Sequence, residues 1–126
     1  MIGYLMIALG GAIGAIARYE MTNLIQHKSH VGFPSGTFVV NVTGCLIIGF
    51  TIGLLDEHVI GNANWRLLII TGFVGAYTTF STFEAETFNA VAAGAFAIAL
   101  LNVVLSVAVG YAAVWLGVAA SRMVRG

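Results

Sequence analysis

Apolar residues fall into four long stretches separated by short polar interruptions: Ile2 to about Asn23, Ser35 to Leu55, Arg66 to Ala92 and Ala95 to Ala120. Each reaches or exceeds the roughly 20 residues with which an α-helix crosses hydrocarbon. The pattern predicts an all-α membrane protein with four transmembrane helices in a single domain, residues 1–126. A polar hinge, Gln26-His27-Lys28-Ser29-His30, leads to Pro34, the only proline. The second stretch stops at Asp56-Glu57-His58, and Gly61-Asn62-Ala63-Asn64 reads as a loop. Trp65 and Arg66 then stand where an interfacial aromatic and a snorkelling cation belong. Gly94 marks a tight connection into the fourth stretch, which carries Trp115 near its end.

One segment breaks the pattern. Gly75-Ala76-Tyr77-Thr78-Thr79-Phe80-Ser81-Thr82-Phe83 lies inside the third stretch, yet glycine, adjacent threonines and successive hydroxyls suit a lipid-facing helix poorly. Irregular backbone at membrane depth survives only where protein buries it or where it lines a watery cavity. Helices broken at mid-membrane commonly build ion and substrate sites. The third helix is therefore expected to be broken, with the functional site at the break.

Composition supports a lipid environment: 60% of residues are hydrophobic and 8% charged, against about 25% charged in soluble domains, and the mean hydropathy is +0.99. No basic run precedes the first apolar segment, so no removable signal peptide is expected and the chain reads as one membrane domain kept entire. Five basic and five acidic residues cancel, which leaves no basic patch for nucleic acid. Cys45, the single cysteine, has no intrachain partner. With four spans, Arg66, Arg122 and Arg125 collect on one side and Arg18 and Lys28 on the other. Lys/Arg excess normally orients a membrane protein; so small a bias fits either a weak signal settled elsewhere or insertion in both orientations followed by antiparallel pairing. Gly10 with Gly14, and Gly49 with Gly53, are small-xxx-small pairs that let helices approach closely. Four short helices are too few to enclose a pathway, so an oligomer is expected.

Polar residues within the spans are the candidate chemistry. Thr37, Asn41 and Gly44 share a face of the second helix; Asn41 serves either as an interhelical hydrogen bond or as a donor to a desolvated ligand. Asn102, Ser106 and Gly110 form a similar stripe in the fourth, and neither stripe holds a charge. That counts against a proton-coupled carrier, which needs an intramembrane carboxylate. Phe80 and Phe83, three residues apart, are either core packing or ring edges whose positive rim suits an anion. Glu84 and Glu86 follow directly: interfacial charge, or carboxylates paired, protonated or placed at a wet mouth. Arg18 either snorkels or lends a vestibule positive potential. The histidines lack metal-ligand spacing, and with no nucleotide motif or nucleophile the chain does not read as an enzyme.

Three motifs together resemble a known family. Gly10-Gly11-Ala12-Ile13-Gly14-Ala15-Ile16-Ala17-Arg18-Tyr19 is similar to its N-terminal segment. Gly36-Thr37-Phe38-Val39-Val40-Asn41-Val42-Thr43-Gly44 is similar to its second-span signature, and Gly72-Phe73-Val74-Gly75-Ala76-Tyr77-Thr78-Thr79-Phe80-Ser81-Thr82-Phe83 to its third. The family is that of the small bacterial fluoride channels, Fluc or CrcB. The resemblance covers essentially the whole chain. It implies a multi-pass protein of the bacterial cytoplasmic (inner) membrane that exports fluoride passively and lowers fluoride toxicity. It implies an antiparallel, dual-topology homodimer with two pores, each built from both protomers. The pore residues it implies are Asn41, Phe80 and Phe83, with a polar track of Ser81, Thr82 and Ser106. Asn102 stands where members carry a tyrosine, which leaves the fourth-span lining open. It also implies a structural sodium ion at the dimer centre, held by backbone carbonyls that map onto Gly75 and Thr78. Arg18 and Glu86 would belong to the vestibule or mouth.

Two other readings share the four spans. A small dual-topology multidrug antiporter needs a buried carboxylate in its first span, where this chain is apolar until Arg18 and has Glu20 at the edge. A membrane assembly subunit without transport activity would use Asn41 for packing alone.

Overall fold

The computed structural model describes residues 1–29, 32–55 and 63–125. His30, Asp56-Glu57-His58 and Gly61-Asn62, where interruptions are expected, lie outside the described residues. Among the described residues every regular element is helical. Among the described residues four helices are long and apolar enough to cross a membrane, as a multi-pass membrane protein requires.

Helix α1 (Ile2–Lys28) runs 27 residues, five residues past the expected end at Asn23 and through Gln26, His27 and Lys28. Nothing between Asn23 and Ser29 is a glycine or proline, so the ladder continues until the Ser29 N–H closes on the Ile25 and Gln26 carbonyls. At about 1.5 Å per residue its roughly 40 Å exceeds a hydrocarbon layer of about 30 Å. Arg18 thus lies well inside the helix rather than near its end. Helix α2 (Ser35–Leu55) starts directly after Pro34, whose carbonyl accepts the Phe38 N–H at 3.1 Å; proline at a helix start loses no ladder bond.

The third span, Ala63–Ala92, is built in pieces. Helix α3 (Ala63–Arg66) leads into a π-helical stretch, Leu67–Val74, which the Gly75 N–H closes by reaching five residues back to Ile70. Such wide turns are uncommon and tend to occur at functional sites. Helix α4 (Gly75–Tyr77) ends at Thr78 and Thr79, and α5 (Phe80–Ala92) begins beyond them. Gly94, at φ 76°, then reverses the chain: the Ala95 N–H reaches the Ala90 carbonyl at 2.8 Å and the Gly94 N–H reaches that of Val91 at 2.9 Å. This is the glycine-closed helix end in which a left-handed residue satisfies orphan carbonyls. Helix α6 (Phe96–Arg125) completes the bundle, continuing past the expected end at Ala120.

Packing follows the small residues. Helix α1 lies along the π-helical stretch, and α2 lies along α6. A methyl group added at Gly10 would strike the Leu68 carbonyl oxygen, and one at Gly14 the Phe73 carbonyl oxygen. Gly49 meets the backbone of Val114 in the same way, and Gly117 that of Leu46. Close backbone approach of this kind holds helices together where lipid removes any hydrophobic gain from association. Hydroxyls within apolar turns satisfy themselves locally: Thr51 donates to the Ile47 carbonyl at 2.8 Å and Ser121 to that of Val118 at 2.7 Å.

Candidate functional site

The break occupies two residues. Thr78 (φ −80°, ψ 155°) and Thr79 (φ −147°, ψ 112°) are extended, a conformation that β-branched residues favour. Gly75, expected at the break, is regular right-handed helix at φ −61°, ψ −33°. The threonines rather than the glycine interrupt the helix.

Asn41 on α2 holds the break. Its Oδ1 accepts the Thr79 N–H at 2.8 Å and its Nδ2 donates to the Thr79 carbonyl at 3.1 Å. Both backbone groups that leave the helical ladder at Thr79 are thereby satisfied inside the span, as a lipid environment demands. Thr79 then caps α5: its Oγ1 accepts the Thr82 N–H at 3.3 Å and its hydroxyl donates to Thr82 Oγ1 at 2.9 Å. Gly44, one turn along α2, leaves the seat for the break, since a Cβ there would strike the Thr78 methyl group. The second-helix stripe accordingly faces the third span, and Thr37 extends it by donating to Glu86 Oε1 at 2.7 Å. Glu86 Oε2 is buried with no partner among the described residues.

The fourth-helix stripe faces a different part of α5. Ser106 donates to Asn102 Oδ1 at 3.4 Å, Asn102 Nδ2 donates to Thr87 Oγ1 at 2.9 Å, and Thr87 donates to the Phe83 carbonyl at 2.8 Å. This chain of donors runs from α6 to the backbone behind Phe83. Phe83 is buried while Phe80 is 73% exposed; their rings lie 5.7 Å apart, tilted by 40°.

Within the chain the candidate residues open onto three cavities. A polar recess of about 360 Å³ is lined by Arg18, Tyr19, Thr79, Ser81 and Thr82 among others. An apolar hollow of about 280 Å³ is lined by Asn41, Gly44, Cys45, Thr78, Thr79 and Phe80 among others. A third, of about 460 Å³, is bounded by Gln26, Glu86, Asn89 and Asn102. Arg18 and Glu86 therefore face different openings, and the Asn41 and Asn102 stripes do not face one another. Two threonines join what the cavities separate. Thr79 lines both of the first two, and Thr37 lines the first while bonding Glu86 of the third. Sequence reading passed over Thr79 as a site residue, although a threonine three positions before Thr82 at a helix start is a recognisable cap. It also passed over Thr87, which nothing in the sequence links to Asn102.

Comparison with known proteins identifies the family. The family model described as "CrcB-like protein, Camphor Resistance (CrcB)" matches residues 5–118. The chain is 50% identical over 119 residues to the "Fluoride-specific ion channel FluC" of Solibacter usitatus, covering 94% of this chain and 98% of the relative. It is 52% identical over 114 residues to the protein of that name from Acidobacterium capsulatum, covering 90% and 91%. A third relative of the same name, from Coxiella burnetii, is 46% identical over 119 residues, covering 94% and 96%. Family match, span number and motif order coincide, and the chain belongs to the CrcB family.

Proposed function

We propose that the protein is a fluoride-selective channel that lets fluoride leave the cell passively across the cytoplasmic (inner) membrane and so lowers fluoride toxicity. The observation that carries this reading is a helix start inside the third span, at Phe80, surrounded by uncharged donors. The first N–H groups of a helix lack intrahelical partners and bear partial positive charge. Here they sit among the hydroxyls of Thr79, Ser81 and Thr82, beside a recess that also presents Arg18. Such donors replace part of the hydration shell of a small anion, and several weak contacts in series let it leave again. Phe80 and Phe83 add ring edges of positive character. The names of the relatives supply the anion.

The active form in this reading is an antiparallel, dual-topology homodimer in which each of two pores draws residues from both protomers. The exposed Phe80 ring and the apolar hollow at the break support a second copy there, because one protomer divides the candidate pore residues among three openings. A central sodium ion fits the donor set. The Thr79 N–H goes to Asn41 and the Thr82 N–H to Thr79 Oγ1, so the Gly75 and Thr78 carbonyls lose their i+4 donors. Oxygen donors of this kind suit a hard cation and would hold the sodium ion, whose charge would tie the two breaks together. An antiporter reading finds less support, since the carboxylate of α1, Glu20, is exposed.

Anion-resolved efflux from proteoliposomes tests the proposal. Fluoride efflux with chloride retained is the expected result, and it should weaken when sodium is omitted during purification. Rapid chloride efflux would overturn it.

A further inference from the structure

We infer that Tyr77 and Thr43 form a second clamp on the break and act as positioning residues for ion passage, an inference that for its transport consequence rests on the channel reading above. Tyr77, the last residue of α4, is 4% exposed. Its ring stacks on Phe73 with centroids 5.5 Å apart and planes 9° from parallel, and its hydroxyl lies 2.9 Å from Thr43 Oγ1. Thr43 Oγ1 also lies 2.7 Å from the Val39 carbonyl and 3.1 Å from that of Val40. Carbonyls only accept, so the single Thr43 proton goes to one of them, and Tyr77 is the donor to Thr43. The chain Tyr77 to Thr43 to Val39 leaves no stranded proton in a dry part of the bundle.

The placement of this chain gives it a function. At about 100° per residue, Asn41 lies about 60° to one side of Gly44 on α2 and Thr43 about 100° to the other. The break therefore rides over Gly44 with a hold on each flank. Asn41 grips the Thr79 backbone, and Thr43 grips the Tyr77 side chain two residues earlier. One hold alone would leave the extended pair free to pivot about the Asn41 amide. Two holds fix the direction in which the Thr78 carbonyl and the start of α5 point.

The hydroxyl pair is asymmetric, and the asymmetry makes the inference testable. Thr43→Val strands a buried donor, the Tyr77 hydroxyl, whereas Thr43→Val with Tyr77→Phe removes both partners together; the first change is much the more costly. Fluoride efflux per folded channel should fall about tenfold in T43V, by the stranded-donor penalty. It should be close to that of the unmodified protein in T43S and recover only part of the loss in T43V/Y77F, where no donor is stranded but the hold is still absent. Hydrogen exchange of the peptide spanning residues 74–83 should quicken in T43V and stay faster than in the unmodified protein in Y77F and in the double variant, with T43S unchanged. If T43V does not assemble, T43S, Y77F and T43V/Y77F still form the comparison, with Y77F expected to resemble the double variant. Equal efflux and equal exchange in T43V and the unmodified protein would overturn the clamp, and so would exchange in Y77F or in the double variant as slow as in the unmodified protein. Absence of fluoride efflux from the unmodified protein would overturn the channel reading, while the exchange measurement would still decide the clamp.

Discussion

Replacing Asn41 with alanine removes both hydrogen bonds that tie the Thr79 backbone to α2, at 2.8 and 3.1 Å. A buried donor or acceptor left without its partner costs about 1–3 kcal/mol, so two of them cost about 2–6 kcal/mol. Hydrogen bonds measured within membrane proteins average about 0.6 kcal/mol, which sets a floor near 1 kcal/mol for the pair. Even that floor shifts an equilibrium about fivefold. The chain has one way to lower the cost: the Thr79 N–H can return to the Gly75 carbonyl, which restores the helix across Thr78 and erases the start of α5. Asn41→Ala should therefore cut fluoride efflux by about tenfold or more and lower the thermal midpoint in detergent. Fluoride efflux in liposomes and a melt in the same detergent measure the two effects. Unchanged efflux together with an unchanged midpoint would refute the assignment of Asn41 as the hold on the break.

Other consequences are as direct. Gly14→Ala places a methyl group against the Phe73 carbonyl and should lower the thermal midpoint. Gly110→Ala, whose added carbon would sit 3.4 Å from Cys45 Sγ, should lower it much less. Gly75→Ala meets nothing closer than the Ile70 carbonyl at 3.6 Å within the chain; it should leave the helical fold intact and, under the proposed sodium-bridged dimer, weaken self-association, read by crosslinking or size-exclusion chromatography. Thr37→Val deprives the Glu86 carboxyl of its hydroxyl donor and should destabilise by about 1–3 kcal/mol, with Thr37→Ser restoring the loss in the same melt. Gly94→Ala forces a Cβ into the left-handed region at φ 76° and should cost about 1–2 kcal/mol without altering ion selectivity in liposomes.

Much of this arrangement can be read from residue order because the bilayer simplifies the rules. Four apolar stretches of the necessary length gave four helices, and the run from Gly75 to Phe83 located the interruption within a few residues. Glycines such as Gly10 and Gly49 announced close contacts, although not with which helix. The ends were harder to place: Gln26, His27 and Lys28 read as a polar hinge, yet nothing in them stops a helix, and α1 runs on through Lys28. The exact break was also hidden. Glycine signals conformational freedom, but Gly75 uses none of it, and the interruption falls on threonines whose backbone Asn41 satisfies from 38 residues away. Pairings across such distances, Thr37 with Glu86 and Asn102 with Thr87, depend on helix rotation, which residue spacing within one helix does not determine.

The wide turns between Leu67 and Val74 carry a consequence for changes in chain length. Because the Gly75 N–H reaches back five residues rather than four, this part of the third span holds one residue more than an ordinary helix needs. Deleting Thr71 would bring Ile70 to four residues before Gly75 and let the ladder close with regular spacing. Everything from Gly72 through the break to α5 would stay where it is. The cost would fall upstream, where the remaining residues turn by about 100° and Leu68 leaves Gly10. The stretch is thus a place where the chain can absorb a lost codon without disturbing the break or α5.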